Sequence, residues 1–220
     1  MEDKMEKILH EMANWINSRD GKIIIGISGH GASGKTTFAH SLLKLLDPHE
    51  VNYMNTDPYM IGSNLRKYTQ IDYEYENQIH RDKMTACHPL AHQVSALERD
   101  IHMLREGYDF YSIGKKRTLI SSKKVNIVEG MSVAFTNPDL FDLKIYFYTD
   151  EETELMRRTI RDVTERGTDL HYLRNSHKER RIQYELFMHP SHHHFDMVVK
   201  SSNEDYVVEK ALNEQRPPSV

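Results

Sequence analysis

The stretch KIIIGISGHGASGKTTFA, residues 22–39, decides the fold. Four isoleucines, Ile23, Ile24, Ile25 and Ile27, form a short apolar run suited to a strand buried on both faces. The run empties into a glycine-rich turn, and Gly34, Lys35, Thr36 and Thr37 open a helical pattern. Gly29, Gly34, Lys35 and Thr36 meet the spacing GxxxxGK[ST], which describes a loop whose backbone N–H groups turn inward around phosphate oxygens. Glycines are needed because the chain approaches the phosphates closely, at backbone angles that a Cβ would forbid. The expected cradle is Gly29, Gly31, Ala32, Ser33, Gly34, Lys35, Thr36 and Thr37. In it Lys35 reaches the β and γ phosphates, the Thr36 hydroxyl ligates Mg²⁺, and the following helix N-terminus favours negative charge. The expected ligand is a nucleoside triphosphate, ATP or GTP, together with Mg²⁺.

The remaining bulk properties bound the class. A chain of 220 residues is long enough for one α/β domain with a full core and a small inserted lobe, and two independent domains are not expected. With 29 Lys plus Arg against 33 Asp plus Glu, the protein is mildly acidic and lacks the basic bias of a nucleic-acid binder. The single cysteine, Cys87, excludes an internal disulfide and has no sequence-adjacent base to make it a nucleophile. No apolar signal core opens the chain and no run of about 18 apolar residues occurs, so the reading is cytoplasmic, without a membrane partner. The oligomeric state stays open, a homo-oligomer included.

Around the loop, residues 4–18 carry Met5, Ile8, Leu9, Met12 and Ile16 at helical spacing, within an N-terminal helical segment 1–20. Phe38, Leu42, Leu43, Leu45 and Leu46 continue the helix after the loop until Pro48. Residues 51–55 read as a strand leading into Asp57, Pro58 and Tyr59. Residues 60–87 are polar and weakly periodic, a loop or mobile lobe whose Tyr68, Tyr73 and Tyr75, with Tyr59, either cover surface or stack on a ring. Leu90, Val94, Leu97, Ile101 and Leu104 mark a helix closed by Gly107. Residues 108–120 read as a short hairpin, within an expected acceptor-binding insertion at 58–124. Strands follow at 125–128, 144–149 and, as the last, 196–199, with a helix at 170–188 and a polar, flexible tail at 213–220.

Strands separated by helices imply right-handed parallel crossovers, and ligands of such sheets sit just beyond the carboxyl ends of the strands. Asp57 and Glu129 both fall at strand ends, so two carboxylates face the phosphate loop, in position for metal and base duties. Residues 151–166 form a helix with acids in its first turn and Arg157, Arg158, Arg161 and Arg166 after them. Glu154 with Arg158 and Asp162 with Arg166 stand at i,i+4. Spacing alone allows either a salt-bridged solvent face or an arginine-bearing lid that closes on a triphosphate, at 151–175.

Four segments decide between these. GISGHGASGKTTFA (26–39), NTDPY (55–59), VNIVEG (125–130) and DLKIYFYTDEETELMRRTIRDVTERG (142–167) resemble, in order, the uridine kinase-like branch of the P-loop kinases. That branch also holds phosphoribulokinase and the bacterial type of pantothenate kinase. The resemblance implies a parallel sheet flanked by helices, with a small acceptor-binding hairpin and an arginine-rich lid. It implies that Lys35 and Thr36 serve the triphosphate and Mg²⁺, and that Asp57 accepts the proton of the attacking hydroxyl or helps hold the metal. Glu129 assists the metal through a water, Tyr59 borders the nucleoside, and Arg158, Arg161 and Arg166 are the lid arginines.

The sequence also departs from that pattern. Where the family carries an FDHP-like acceptor segment this chain reads Ala86, Cys87, His88 and Pro89, and the acceptor hairpin matches only at Tyr108, Asp109 and Phe110. His88 and Tyr108 are therefore the acceptor-contact candidates, and Thr168 follows Gly167 where the family usually has arginine. The expected activity is Mg-dependent phosphoryl transfer from ATP to the 5′-hydroxyl of uridine or cytidine. The alternatives are the same chemistry on another small alcohol, such as pantothenate or a sugar, and a nucleotide-binding regulator with little turnover. The chain has no NKxD segment for guanine selectivity, which speaks against a GTPase-type switch.

Overall fold

A computed structural model describes residues 4–113, 118–164, 167, 169–202 and 205–212. Helix α1 (Lys4–Asn17) precedes β1 (Ile23–Gly29), the phosphate loop and α2 (Lys35–Leu43), and β2 (Val51–Asn55) follows. Next come α3 (Ser63–Arg66), β3 (Gln70–Tyr75), β4 (Gln78–Lys83) and α4 (Val94–Glu106). A small pair, β5 (Phe110–Tyr111) and β6 (Thr118–Leu119), leads to β7 (Val125–Glu129) and β8 (Leu143–Tyr148). The chain ends through α5 (Glu151–Arg158), α6 (Leu170–Gln183), β9 (Met197–Ser201) and β10 (Tyr206–Lys210).

Six strands form one sheet in the order β10-β9-β8-β1-β7-β2. Its pairs are parallel except β9 with β10. Alternation along the strands sorts the core into two layers, because successive side chains point to opposite faces. Ile23, Ile25 and Ile27 of β1 and Ile145 and Phe147 of β8 pack under α1 and α2, with Met12, Phe38 and Leu42. Ile24, Val128 and Tyr146 face the other way, onto Leu97, Ile101 and Leu104 of α4 and onto Tyr184 and Met188. Truncating a fully buried ring such as Phe38 would cost about 3–5 kcal/mol. The sheet is thereby held rigid where its carboxyl edge carries the site.

The segment expected as a loop or mobile lobe at 60–87 is more ordered than its sequence suggested. β3 and β4 form a regular antiparallel ladder, with Tyr73 opposite His80. The ladder turns on Glu76 and Asn77, both left-handed at φ 52° and 60°, the geometry of a two-residue hairpin turn. Glu-Asn is not one of the usual signals for that turn. The expected hairpin at 108–120 forms with two-residue strands, and residues 114–117 of its turn lie outside the described residues. The strand expected as the last is followed by β10, which pairs antiparallel on the edge of the sheet. Helix α5 runs to Arg158 and continues as a π-helical turn, Thr159–Val163, through the arginine motif. Such turns insert a residue into the helix and occur often at functional sites. The tail 213–220 lies outside the described residues.

Candidate active site

The site grows from the end of β1. Gly29 stands at φ +143°, and a Cβ there would lie 2.0 Å from the carbonyl oxygen of Phe147 on β8, so only glycine lets the loop leave the sheet here. Gly34 caps α2 in the left-handed region, at φ +93°. Ala32 is left-handed too, at φ 67°, a conformation that costs a residue with a Cβ and that clusters at ligand sites. The loop thus delivers the chain to the N-terminus of α2, where unpaired N–H groups and the helix dipole favour an anion.

Lys35 lies at that N-terminus, largely buried, with Nζ donating to the His30 carbonyl at 3.3 Å and 4.0 Å from Glu129 Oε1. Burial lowers its pKa, opposed by the negative charges of Glu129 and Asp57. Thr36 Oγ1 donates to Glu129 Oε1 at 3.0 Å. The other oxygen of Glu129 accepts from Tyr53 Oη at 2.8 Å and Asn55 Nδ2 at 3.0 Å. These contacts follow from topology: β7 lies between β1 and β2, and Glu129 is the register partner of both Ile27 and Asn55. Asp57 is exposed one turn beyond β2, its N–H bonded to Asn55 Oδ1 at 2.9 Å.

These groups line a cleft of about 630 Å³. Lys35, Arg66, Arg157, Arg158, Arg161 and Arg180 face it with Asp57, Glu129 and Asp162, an excess of cations that suits a polyphosphate. Arg158 is 8% exposed, its Nε 3.4 Å from Asp162 Oδ2, and burial with the neighbouring Arg180 pushes its pKa down to about 10. Arg161 Nε bonds Asp162 Oδ1 at 2.8 Å. Arg157 braces the loop, donating to the Ala32 carbonyl at 3.3 Å and to Ser201 Oγ at 2.8 Å.

Not every expected residue reaches the cleft. Gly31, Ala32, Gly34, Lys35, Thr36, Thr37, Asp57, Glu129, Arg158 and Arg161 line it. Gly29 and Ser33 lie behind the loop, and the buried Ser33 Oγ has no hydrogen-bond partner among the described residues. Arg166 lies outside the described residues. Tyr59 does not border the cleft: its ring is fully buried and its hydroxyl donates to Asp100 beneath α4, a core position. Tyr108 projects into solvent after α4, 61% exposed. His88 stands edge-on to Phe187 at 4.6 Å and caps the turn at Leu90 through Nδ1, while Ala86 is the residue of that segment that lines the cleft. The Cys87 thiol is buried and its pKa raised by burial, the state of a packing residue.

The sequence did not single out Arg180 or Arg66, and it marked Asp162 only as an i,i+4 partner and Asn55 only within NTDPY; all four line the cleft. Arg180 sits in the run KERR on α6, where nothing in spacing separates it from Arg181, and Arg66 lies on a four-residue helix.

The residues fit both groups that the fold implies. Thr36 Oγ1, Glu129 and Asp57 offer the hydroxyl and carboxylate oxygens that Mg²⁺ prefers, few enough that phosphate oxygens and water would complete its shell. The strained, glycine-lined loop at a helix N-terminus fits the triphosphate.

Comparison with known proteins agrees with this fold. The family described as "Phosphoribulokinase / Uridine kinase family" matches residues 24–207. The chain belongs to that family. Its members are kinases, and this chain is a phosphotransferase of the P-loop fold. A uridine kinase of Staphylococcus epidermidis is 29% identical over 196 residues, covering 84% of this chain and 90% of that protein. A uridine kinase of Macrococcus caseolyticus is 31% identical over 189 residues, covering 78% of this chain and 81% of that one. Phosphoribulokinase from Rhodobacter spheroides superposes with a TM-score of 0.54 at 16% identity, covering 81% of this chain and 70% of its own, a likeness of fold alone. Among the described residues no helix is long and apolar enough to cross a membrane.

Proposed function

We propose that this kinase transfers the γ-phosphoryl group of ATP to the 5′-hydroxyl of uridine or cytidine, in the cytoplasm and with Mg²⁺. The observation that carries the reading is the Lys35, Thr36, Glu129 and Asp57 constellation at the mouth of the phosphate loop. Lys35 would hold the β and γ phosphates, and Thr36 with Glu129 would hold Mg²⁺, which would supply charge neutralisation. Asp57, exposed at the end of β2, orients the acceptor hydroxyl and accepts its proton as the oxygen attacks in line. Arg158 and Arg161 close on the equatorial oxygens, where charge accumulates in the transition state. The names of the sequence relatives favour a nucleoside acceptor.

The acceptor side favours a second reading, the same transfer to another small alcohol. Tyr59 is buried, Tyr108 points to solvent, and a buried cysteine stands in the acceptor segment, so the side chains expected against a nucleoside do not face the cleft. Incubation of purified protein with Mg-ATP and a panel of nucleosides, pantothenate and sugars, with product masses as readout, tests both. Phosphorylated uridine or cytidine supports the first reading, and a phosphorylated non-nucleoside alone replaces it with the second.

A further inference from the structure

Arg180 lies on α6, well past the arginine motif, yet its guanidinium reaches back over the phosphate loop. A Cβ built on Gly31 would lie 3.2 Å from its Nη2, so this loop position leaves room for the arginine. Arg180 also faces the acceptor side: it lines the cleft together with Lys35 of the donor loop and with Asp57, Arg66 and Ala86 of the acceptor side. A group between donor loop and acceptor segment stands where the phosphoryl group passes.

Its own surroundings leave its charge incompletely matched. Among the described residues the buried Arg180 Nε has no hydrogen-bond partner, and Glu154 Oε1 lies 3.6 Å away. Glu154, 1% exposed, is shared: its oxygens lie 4.0 Å from Arg158 Nη1, 3.4 Å from Arg181 Nη1 and 3.6 Å from His30 Nδ1. Burial would push the Glu154 carboxyl up, and the surrounding basic groups, His30 first and then Arg180 and Arg158, hold it low. Arg181 has further acceptors in the Thr149 carbonyl and Glu185 Oε1, both at 3.1 Å. Arg158 has Asp162 beside it at 3.4 Å and Arg181 has Glu185, so Arg180 depends on its share of Glu154; among the described residues the buried Arg158 Nη1 also lacks a hydrogen-bond partner. A buried guanidinium with unmatched charge is costly in the absence of an anion and strongly attractive to one.

We propose that Arg180 is a ligand of the transferring phosphoryl group, held over the phosphate loop by Glu154. The assignment rests on the kinase reading of the site. Lys35 would approach that group from the floor of the loop and Arg180 from above Gly31, with the planar fork of arginine spanning two phosphate oxygens. Glu154 is then a positioning residue that aims the fork without touching substrate.

Direct binding of Mg-ATP and Mg-ADP to the wild type, R180M and R180K, with turnover measured alongside, tests this. R180M should weaken ATP binding about tenfold or more, leave ADP binding within about twofold, and lower kcat by about 10²-fold or more. R180K keeps a charge but not the fork, should fold even if R180M does not, and should show the same selective loss of ATP affinity in smaller measure. E154Q should reproduce the ATP-selective loss with an intermediate fall in kcat. Equal losses for ATP and ADP, or an unchanged kcat in R180K and R180M, would overturn the assignment. A wild type that binds neither nucleotide would remove the kinase reading and this role with it, a result readily told apart from variants that behave like an active wild type.

Discussion

Thr36 Oγ1 donates to Glu129 Oε1 at 3.0 Å, joining the first turn of α2 to the carboxyl end of β7. The bond exists because β7 runs parallel to β1 in the sheet, so the strand ending in a carboxylate lies beside the strand ending in the phosphate loop. On the proposed function, a hydroxyl and a carboxylate held together in this way would offer two oxygens to Mg²⁺. Replacing Glu129 by Gln keeps the shape and removes the charge. We expect kcat to fall about 10²-fold and the Mg²⁺ concentration for half-maximal rate to rise severalfold, because charge neutralisation at the metal is lost. A magnesium titration of the variant that overlays the wild type would contradict this.

Asp57 is an exposed carboxylate of the cleft, and Glu129 is sequestered by Thr36, Tyr53 and Asn55. The D57N variant should therefore lose about 10² to 10⁴ in kcat with ATP affinity nearly unchanged, the signature of a missing general base. If kcat stays near wild type, the proton goes elsewhere.

Tyr59 separates core from cleft. Its hydroxyl donates to the fully buried Asp100, which also accepts from Arg99 Nε at 2.8 Å. Y59F should lower stability by about 1–3 kcal/mol in denaturant unfolding, since a buried carboxylate loses a donor. Acceptor KM should stay within about twofold. A large rise in KM at unchanged stability would return Tyr59 to the acceptor site.

His30 gives the protein a pH dependence of stability. Nε2 accepts from the Thr149 N–H at 3.0 Å and Nδ1 lies 2.9 Å from the Gly31 carbonyl, an arrangement that suits the neutral ring. Burial lowers its pKa from 6.5 to about 4, with Glu154 opposing. The unfolded chain binds this proton below about pH 6.5 and the folded protein does not until about pH 4. The contribution is present above pH 6.5 and is lost as pH falls to 4, on the order of 3 kcal/mol at about 1.4 kcal/mol per pH unit. Melting temperature should drop across this window, and H30Q should flatten the drop. His92, buried and lowered to about 4 as well, would keep its own share. A slope identical in H30Q and wild type would contradict the neutral, buried His30.

The donor half of the site was legible because backbone constraints write themselves into sequence. At Gly29 an added Cβ would come 2.0 Å from Phe147 O, so the loop admits one residue type there, and a strand buried on both faces, as β1 is, favours an apolar run such as its isoleucines. The acceptor half was not legible. Tyr59 follows Asp57 by two residues, and only the path of the turn Asp57–Tyr59 decides that one faces the cleft and the other the core beneath α4. Arg180 is brought over Gly31 by the packing of α6, a tertiary relation that no local spacing encodes. The hairpin of β3 and β4 escaped because Glu76 and Asn77 occupy left-handed positions that usually call for glycine.

The central claim is that the cleft transfers a phosphoryl group rather than merely holding a nucleotide. The most direct test follows γ-labelled ATP with Mg²⁺ and uridine or cytidine over time, with the product separated from free phosphate. The account predicts label in a nucleoside 5′-monophosphate for the wild type and its loss in D57N. Label found only in free phosphate across nucleosides, pantothenate and sugars, or in no product at all despite tight ATP binding, would contradict it.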